Sequence, residues 1–218
     1  MQEQVKVTGM ILEASPVGET DKRVVILTKE RGKISAFARG ARQQGSRLLA
    51  ATDPFCFGEF LLYEGRNSYT VNEAVISNYF EGMREHFEEA CYGMYFLELM
   101  NYYTRENSDE REMLKLLYQS LRALLHEAYP NELVRYIFEI KAVAINGEYP
   151  GLPMEREYEE STRYAVEYIA GSSVEKLYTF RVSEAVLTEL GGIARQYQER
   201  FVDRKLKSLE ILEGLIYN

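Results

Sequence analysis

Cysteine is scarce in this chain: only Cys56 and Cys91 occur among 218 residues. The two lie far apart and without the spacing of metal ligands, and free cysteine is usually a small buried residue. The sequence therefore predicts two reduced, buried thiols in a cytosolic protein.

Long apolar runs are missing as well. No run reaches the roughly 18 residues of a membrane helix, and the first residues, Met-Gln-Glu-Gln-Val, lack the basic and apolar regions of a secretory signal. Hydrophobic residues make up 46% and charged residues 28%, as in ordinary folded proteins. We expect a folded chain with no membrane partner, long enough for one large or two small domains.

The short motifs of common enzymes are absent too. The chain has no G-x-x-x-x-G-K-[ST], no G-x-S-x-G and no H-E-x-x-H. His86 and His126 are predicted on helix surfaces, and the many carboxylates are predicted on helix faces among Lys and Arg, the usual pattern of a solvated face. We predict a protein that is not an enzyme, with no catalytic residue, metal or cofactor. A nuclease is disfavoured because no metal-binding carboxylates cluster on the predicted strands.

Positive charge is concentrated in one stretch. Residues 22–47 hold eight basic residues and one acid, Glu30, although the whole chain has a net charge of −8. A basic patch in an acidic protein indicates a polyanionic partner. The basic residues are Lys22, Arg23, Lys29, Arg31, Lys33, Arg39, Arg42 and Arg47.

Residues 33–39 (K-I-S-A-F-A-R) alternate between apolar and polar or aromatic side chains. On a strand, Ile34, Ala36 and Ala38 would face a core, and the outer face would combine cations with the ring of Phe37. Single-stranded nucleic acid is held by this combination, cations for phosphates and an aromatic plane for a base. An equally consistent interpretation makes Phe37 an ordinary core residue and the charges a solvated face.

The leading part of the chain has the pattern of five short strands, at 4–14, 22–29, 33–39, 55–64 and 68–77. Five strongly twisted strands in so few residues favour a small closed barrel. A five-stranded oligonucleotide-binding (OB) barrel is the natural candidate, and an SH3-like barrel fits the strand count nearly as well.

After Tyr79 the periodicity becomes helical. Helices are predicted at 83–104, from about 109 to 126, and at 133–145, 161–170, 183–200 and 204–214, with a Pro/Gly loop at 148–160. We predict an α+β protein in which residues 1–79 form the barrel and 80–218 an all-α domain. The first part has ten Lys/Arg and nine Asp/Glu, and the second has 16 and 25, so the net charges are +1 and −9.

Several segments resemble one bacterial family, the RecO recombination mediators. They are G-E-T-D-K-R-V-V-I-L-T-K-E-R-G-K-I-S-A-F-A-R-G-A-R from residue 18, S-R-L from 46, P-F-C-F-G-E-F-L-L-Y-E-G-R from 54, F-E-I-K-A-V-A-I-N-G-E-Y-P-G-L from 138 and K-L-K-S-L-E-I-L from 205. The resemblance covers nearly the whole chain in the expected order, so it is specific.

This resemblance implies an OB barrel followed by a helical domain, with a non-enzymatic role in recombinational DNA repair. It implies binding to single- and double-stranded DNA and annealing of complementary strands. The implied partners are RecR, the acidic C-terminal tail of single-stranded-DNA-binding protein (SSB) and, indirectly, RecA, which is loaded onto SSB-coated DNA. The implied location is cytoplasmic and nucleoid-associated.

The chain departs from the family at one place. Many members hold zinc through four cysteines shortly after a segment like G-E-Y-P-G-L-P at 147–153, but no cysteine follows Cys91 here. A zinc site at that place is therefore excluded for this chain.

Matched to the family motif, the predicted DNA-binding cations are Lys22, Arg23, Lys33, Arg39, Arg42 and Arg47, and Phe37 joins them from its strand position. Arg39, Arg42 and Arg47 rank first because they flank a Gly-containing segment able to follow a DNA backbone. Glu19 and Asp21 also belong to the motif, where they are predicted to pair with neighbouring cations or to cap a turn.

The acidic helical half is predicted to bind protein rather than DNA. An acidic, apolar-ended tail would need a hydrophobic groove with cations at its mouth, for which Arg122 and Arg135 are candidates; ordinary salt bridges on helix surfaces are the favoured interpretation. A competing function for the whole chain is a protein-only scaffold whose basic patch meets an acidic partner.

Overall fold

The computed structural model describes residues 4–66, 68–154 and 157–216. Five strands close into a barrel in the order β1-β2-β3-β5-β4, with β1 paired to β4. All pairs are antiparallel except β3–β5. This order and closure match an OB-fold, confirming the predicted barrel. The strands are β1 Gln4–Val17, β2 Asp21–Thr28, β3 Gly32–Ala38, β4 Phe57–Glu64 and β5 Tyr69–Asn78.

The barrel core follows the alternation seen in the sequence. Every second residue of β3, including Ile34, Ala36 and Ala38, is buried in the core together with Val24 and Phe60. The residues between them point outward and are only partly exposed. Phe37 is among these outward residues, so it is not part of the barrel core.

Two glycines allow neighbouring strands to approach closely, Gly9 of β1 towards β2 and Gly58 of β4 towards β5. Gly9 and Gly58 are paired across β1 and β4. A Cβ on Gly58 would lie 2.2 Å from the carbonyl oxygen of Val75, and one on Gly9 would lie 2.4 Å from that of Leu27. Both contacts are with backbone that cannot move aside, so glycine is required at these crossings.

Helices make up most of the rest of the chain. The described helices are α1 Leu48–Ala51, α2 Gly82–Glu85, α3 Phe87–Tyr103, α4 Arg111–Leu124, α5 Asn131–Ile145, α6 Glu160–Gly171, α7 Glu184–Phe201 and α8 Lys207–Ile216, with a 3-10 turn at Val174–Lys176. The structure thus splits the predicted helix 83–104 in two and adds the one-turn α1 between the predicted strands 33–39 and 55–64. Two helices have ends of a common kind: at the start of α7, Ser183 accepts a hydrogen bond from the amide of Val186, and Gly147 follows α5 with φ of 79°.

The described contacts group the chain into two compact units. Met1–Glu85 with Leu97–Leu114 form one, called the barrel unit, and His86–Phe96 with Lys115–Asn218 form the other, called the helical unit. One boundary falls between α2 and α3, and the other two fall inside α3 and inside α4. The predicted division after residue 79 stays a prediction.

The helical unit is built around α5, which packs against α6 and α7. Of the loop predicted at 148–160, residues 155 and 156 lie outside the described residues. Tyr197 on α7 donates a hydrogen bond of 2.8 Å to the carbonyl of Gly151, and its ring meets Tyr149 edge-on at 6.3 Å. A tyrosine side chain therefore fixes the loop to α7.

The cysteine and histidine side chains lie largely where the sequence predicts. Cys56 is buried, whereas Cys91 is half-buried, so the prediction of burial is correct only for the first. His86 and His126 are exposed, each just outside a helix. In the described part of the chain, every helix is too short or too polar to cross a membrane.

Candidate nucleic-acid interface

One end of the outer β2–β3 face is covered by residues 101–108 of the same unit. Leu27 points outward but is fully buried, and the ammonium group of Lys33 donates to the carbonyl of Asn101. The amide of Lys33 bonds the carbonyl of Arg105 at 2.9 Å. Gly32, with φ of 66°, is needed here because a Cβ would lie 2.3 Å from that same carbonyl. Lys33 is therefore held by the protein rather than presented to a ligand.

The other end of this face is open. Arg23 and Phe37 are directly paired across β2 and β3, so their side chains lie together on the outer surface. Arg23 is exposed, and its Nε donates to Ser35 Oγ at 2.9 Å. Phe37 is half-buried, and Arg39, immediately after β3, is exposed.

The loop after β3 is tied to the β1–β2 turn. Asp21 accepts hydrogen bonds from the amide of Gly40 at 2.8 Å and from the hydroxyl of Thr20 at 2.9 Å. The hydrogen bond from Gly40 is the largest cause of a lowered pKa of Asp21. The bond from Thr20 and the positive charge of Arg39 lower it further. Of the two roles predicted for Asp21, the structure shows the capping one.

The same turn positions the next arginine. Arg42 Nη1 donates to the carbonyl of Gly18 at 2.9 Å, and the Arg42 amide donates to the carbonyl of Thr20 at 2.8 Å. These bonds use only part of the guanidinium, which has five donors, and the residue is exposed. Arg42 is thus fixed beside the start of β2 with donors left for a ligand.

Arg47 follows in the same loop and precedes α1. Its side chain is exposed. Among the described residues, neither Arg39 nor Arg47 has an ion-pair partner. Arg23, Phe37, Arg39, Arg42 and Arg47 together are called the arginine surface below.

Lys22 does not belong to this surface. Its ammonium group donates to Asp53 Oδ1 at 2.7 Å and to the carbonyl of Leu49 at 2.8 Å, and its side chain is only 13% exposed. Arg84 pairs with the second oxygen of Asp53 at 3.1 Å. Lys22 therefore joins β2 to the α1 segment, and we leave it, like Lys33, out of the candidate interface.

Two neighbours of Phe37 were not singled out from the sequence. Thr70 on β5 pairs with Phe37, and Tyr63 on β4 pairs with Thr70. Tyr63 is half-buried, and its hydroxyl accepts a hydrogen bond of 3.0 Å from Gln4. Alternation along β4 puts Tyr63 on the outer face, and the non-local β3–β5 and β4–β5 pairings bring Tyr63 into one row with Phe37, two strands away.

The two arginines predicted for protein binding differ in environment. Arg122 on α4 is exposed. Arg135 is only 8% exposed: its Nε donates to Glu139 at 3.0 Å, its Nη2 pairs with Glu213 at 3.4 Å, and Tyr95 also bonds Glu139. Burial opposes the charge, yet Glu139 raises the pKa of Arg135. Arg135 thus forms an ordinary i,i+4 salt bridge, but a buried one and not one on a helix surface, so we leave Arg135 out of the candidate protein-binding contacts.

Comparison with known proteins agrees with this architecture. The sequence model described as "Recombination protein O N terminal" matches residues 1–80, and "Recombination protein O C terminal" matches residues 84–155. Curated relatives are each named DNA repair protein RecO. The one from Clostridium novyi is 30% identical over 242 residues, covering 96% of this chain and 94% of that protein.

Two further relatives show the same relation. The protein of Acetivibrio thermocellus is 28% identical over 244 residues, with 97% of each chain covered. That of Alkaliphilus metalliredigens is 36% identical over 148 residues, covering 68% of this chain and 60% of the relative. The chain therefore belongs to the RecO family of DNA repair and recombination proteins.

Proposed function

We propose that the protein is a non-enzymatic recombination mediator that binds single- and double-stranded DNA on the arginine surface. The observation that carries the proposal is the open end of the β2–β3 face, where exposed Arg23 is paired with Phe37 and exposed Arg39 follows β3, with exposed Arg42 and Arg47 in the next loop of the same OB barrel. OB-folds bind oligonucleotides on this strand face and on the adjoining loops. Arginine suits phosphate because its planar donors bind two oxygens at once.

Binding of this kind is dominated by the sugar–phosphate backbone and has little sequence preference. With four arginine–phosphate contacts, the logarithm of the single-strand affinity would fall against the logarithm of salt with a slope of roughly −3. Raising salt from about 50 to about 200 mM would then weaken binding about fifty-fold. Annealing follows if two strands share the surface, because its cations screen their mutual repulsion.

The test replaces Arg39, Arg42 and Arg47 together by Ala and measures single-strand affinity by fluorescence anisotropy across a salt series. The slope should flatten to about −1, because one arginine contact is left. A matched control removes three exposed arginines of the helical unit, Arg163, Arg181 and Arg195, for the same change in net charge. A triple variant whose slope equals that of the unaltered protein would remove the arginine surface from the proposal.

The finer role in repair rests on the family. We propose that the protein anneals complementary strands, engages the C-terminal tail of SSB and, with RecR, helps load RecA onto SSB-coated DNA in the cytoplasm. Exposed Arg122 stays a candidate contact for the acidic tail. Annealing rates with and without these partners test this role, and a protein that binds no labelled DNA at low salt would favour the scaffold alternative.

A further inference from the structure

The outer surface of the barrel carries a second ring in line with the arginine surface. Phe37 on β3 pairs with Thr70 on β5, and Thr70 pairs with Tyr63 on β4. Paired residues on neighbouring strands point to the same face, so Phe37, Thr70 and Tyr63 form one row. Arg23 continues the row beyond Phe37.

The spacing of the row separates its two rings. Adjacent strands lie about 4.8 Å apart, so the backbones of Phe37 and Tyr63 are about 10 Å apart, with the short side chain of Thr70 between them. Both rings are half-buried, each supported by its strand with part of its surface open. The hydrogen bond from Gln4 to the Tyr63 hydroxyl restrains the second ring. The row therefore offers two separate ring surfaces rather than one sandwich.

Ring surfaces and guanidinium groups act on different parts of a nucleic acid. Arg23 can bind a phosphate of either a single strand or a duplex. A ring can stack only on a base whose face is open, and in a duplex those faces are already stacked on each other. The arginine of this row therefore adds affinity for both forms of DNA, whereas the rings add affinity for unpaired bases alone.

We infer that Tyr63 and Phe37 each stack one base of an unpaired strand whose phosphates are held by the arginines, which makes the interface selective for single-stranded over duplex DNA. The inference rests on the proposed function, because it assigns the preferred substrate of the same surface. Tyr63 is the new residue in it, and Thr70 is the spacer that keeps the two stacking positions apart.

The experiment compares Tyr63→Ala, Tyr63→Leu and Tyr63→Phe in the full chain, with affinities measured for a single strand and for a duplex of equal length. Tyr63→Ala and Tyr63→Leu should weaken single-strand binding about ten-fold and leave duplex binding within about two-fold. Tyr63→Phe keeps the ring and should bind as the unaltered protein does. Leu61→Ala, on the same outer face of β4, is the control and should change neither affinity.

The unaltered protein provides a second measurement, independent of how variants fold. A single strand containing 5-iodouracil should cross-link on irradiation to peptides containing Phe37 or Tyr63. Cross-links confined to other residues would overturn the inference, as would Tyr63→Leu weakening both DNA forms equally or neither. A different result would contradict the proposed function, namely an unchanged salt slope in the variant that lacks Arg39, Arg42 and Arg47. The failure of the inference and the failure of the proposed function are therefore distinguishable.

Discussion

Neighbouring cations in the same motif can have opposite roles. Lys22 and Arg23 are adjacent, but side chains alternate along a strand. Lys22 pairs with buried Ala38 and reaches Asp53, whereas Arg23 pairs with Phe37 on the outer face. The sequence predicts that both bind DNA. It does not show that Asp53, 31 residues away, becomes the partner of Lys22 in the folded barrel.

The Lys22→Ala variant should therefore lose stability and keep its DNA affinity. Removing a hydrogen-bonded, largely buried ammonium should lower the free energy of unfolding by about 1–2 kcal/mol, reduced by the partial exposure of Asp53 and its second partner Arg84. Urea denaturation measures the first effect and the anisotropy salt slope the second. Arg23→Ala is the matched variant and should show the reverse: near-normal stability and a shallower slope.

Cys56 should make stability depend on pH in alkaline solution. Burial raises the pKa of its thiol from about 9 to about 11, so the folded protein keeps a proton that the unfolded chain loses. The stabilisation is present below pH 9 and is lost as pH rises from about 9 to about 11. The loss in unfolding free energy is at most about 2–3 kcal/mol. Urea unfolding of the unaltered chain and of Cys56→Ala, compared at pH 8 and pH 10.5, checks this. Equal losses of stability in both proteins would contradict it, since tyrosines titrate in each.

Among the elements, the glycines of β1 and β4 set how closely the strands cross. Gly58→Ala should destabilise the barrel by more than about 2 kcal/mol, because the new methyl group would meet the backbone of Val75 and Ile76 rather than a movable side chain. Thermal unfolding of this variant can be compared with that of Gly171→Ala. A Cβ at Gly171 meets nothing within 4 Å, so that change should be close to neutral. Similar melting temperatures for both variants would show that the crossing tolerates a side chain.

The loop after α5 is held by one side chain. Tyr197→Phe removes the hydrogen bond to Gly151 but keeps the ring against Tyr149. We expect a loss of about 1 kcal/mol in unfolding free energy and faster proteolytic cleavage within residues 148–154. Tyr164→Phe, whose ring lies exposed on α6, is the control. An unchanged cleavage rate in Tyr197→Phe would mean that the loop is fixed by other contacts.

The elements themselves were largely predictable because their signals are local. Alternation predicts the five strands, and the change to a helical period after Tyr79 predicts the helices. Three features depended on distant partners and were not predictable: the covering of Lys33 by residues 101–108, the burial of Arg135 with Glu213, and the placement of Tyr63 beside Phe37. The sequence thus predicts which side chains of β3 point outward, but only the closed barrel shows which part of that face is open to solvent.

For the molecule as a whole, charge is divided unevenly along the chain. Residues 1–79 have a net charge of +1 and the remainder −9. A phosphate approaching the arginine surface is therefore also repelled by the acidic remainder, over a distance set by the ionic strength. The Debye length is about 30 Å at 0.01 M salt and about 8 Å at 0.15 M, so this repulsion should matter only at low salt.

Neutralising exposed acids outside the arginine surface tests this division of charge. Replacing Glu127, Glu157 and Glu199, all exposed, by Gln changes the net charge from −8 to −5. Single-strand affinity and the association rate should rise several-fold at about 0.01 M salt and converge on those of the unaltered protein at about 0.15 M. Stopped-flow anisotropy at both salt concentrations measures this. A gain that persists at the higher concentration would mean that the acidic side chains lie within about 8 Å of the bound strand, and the DNA path would then extend beyond the arginine surface.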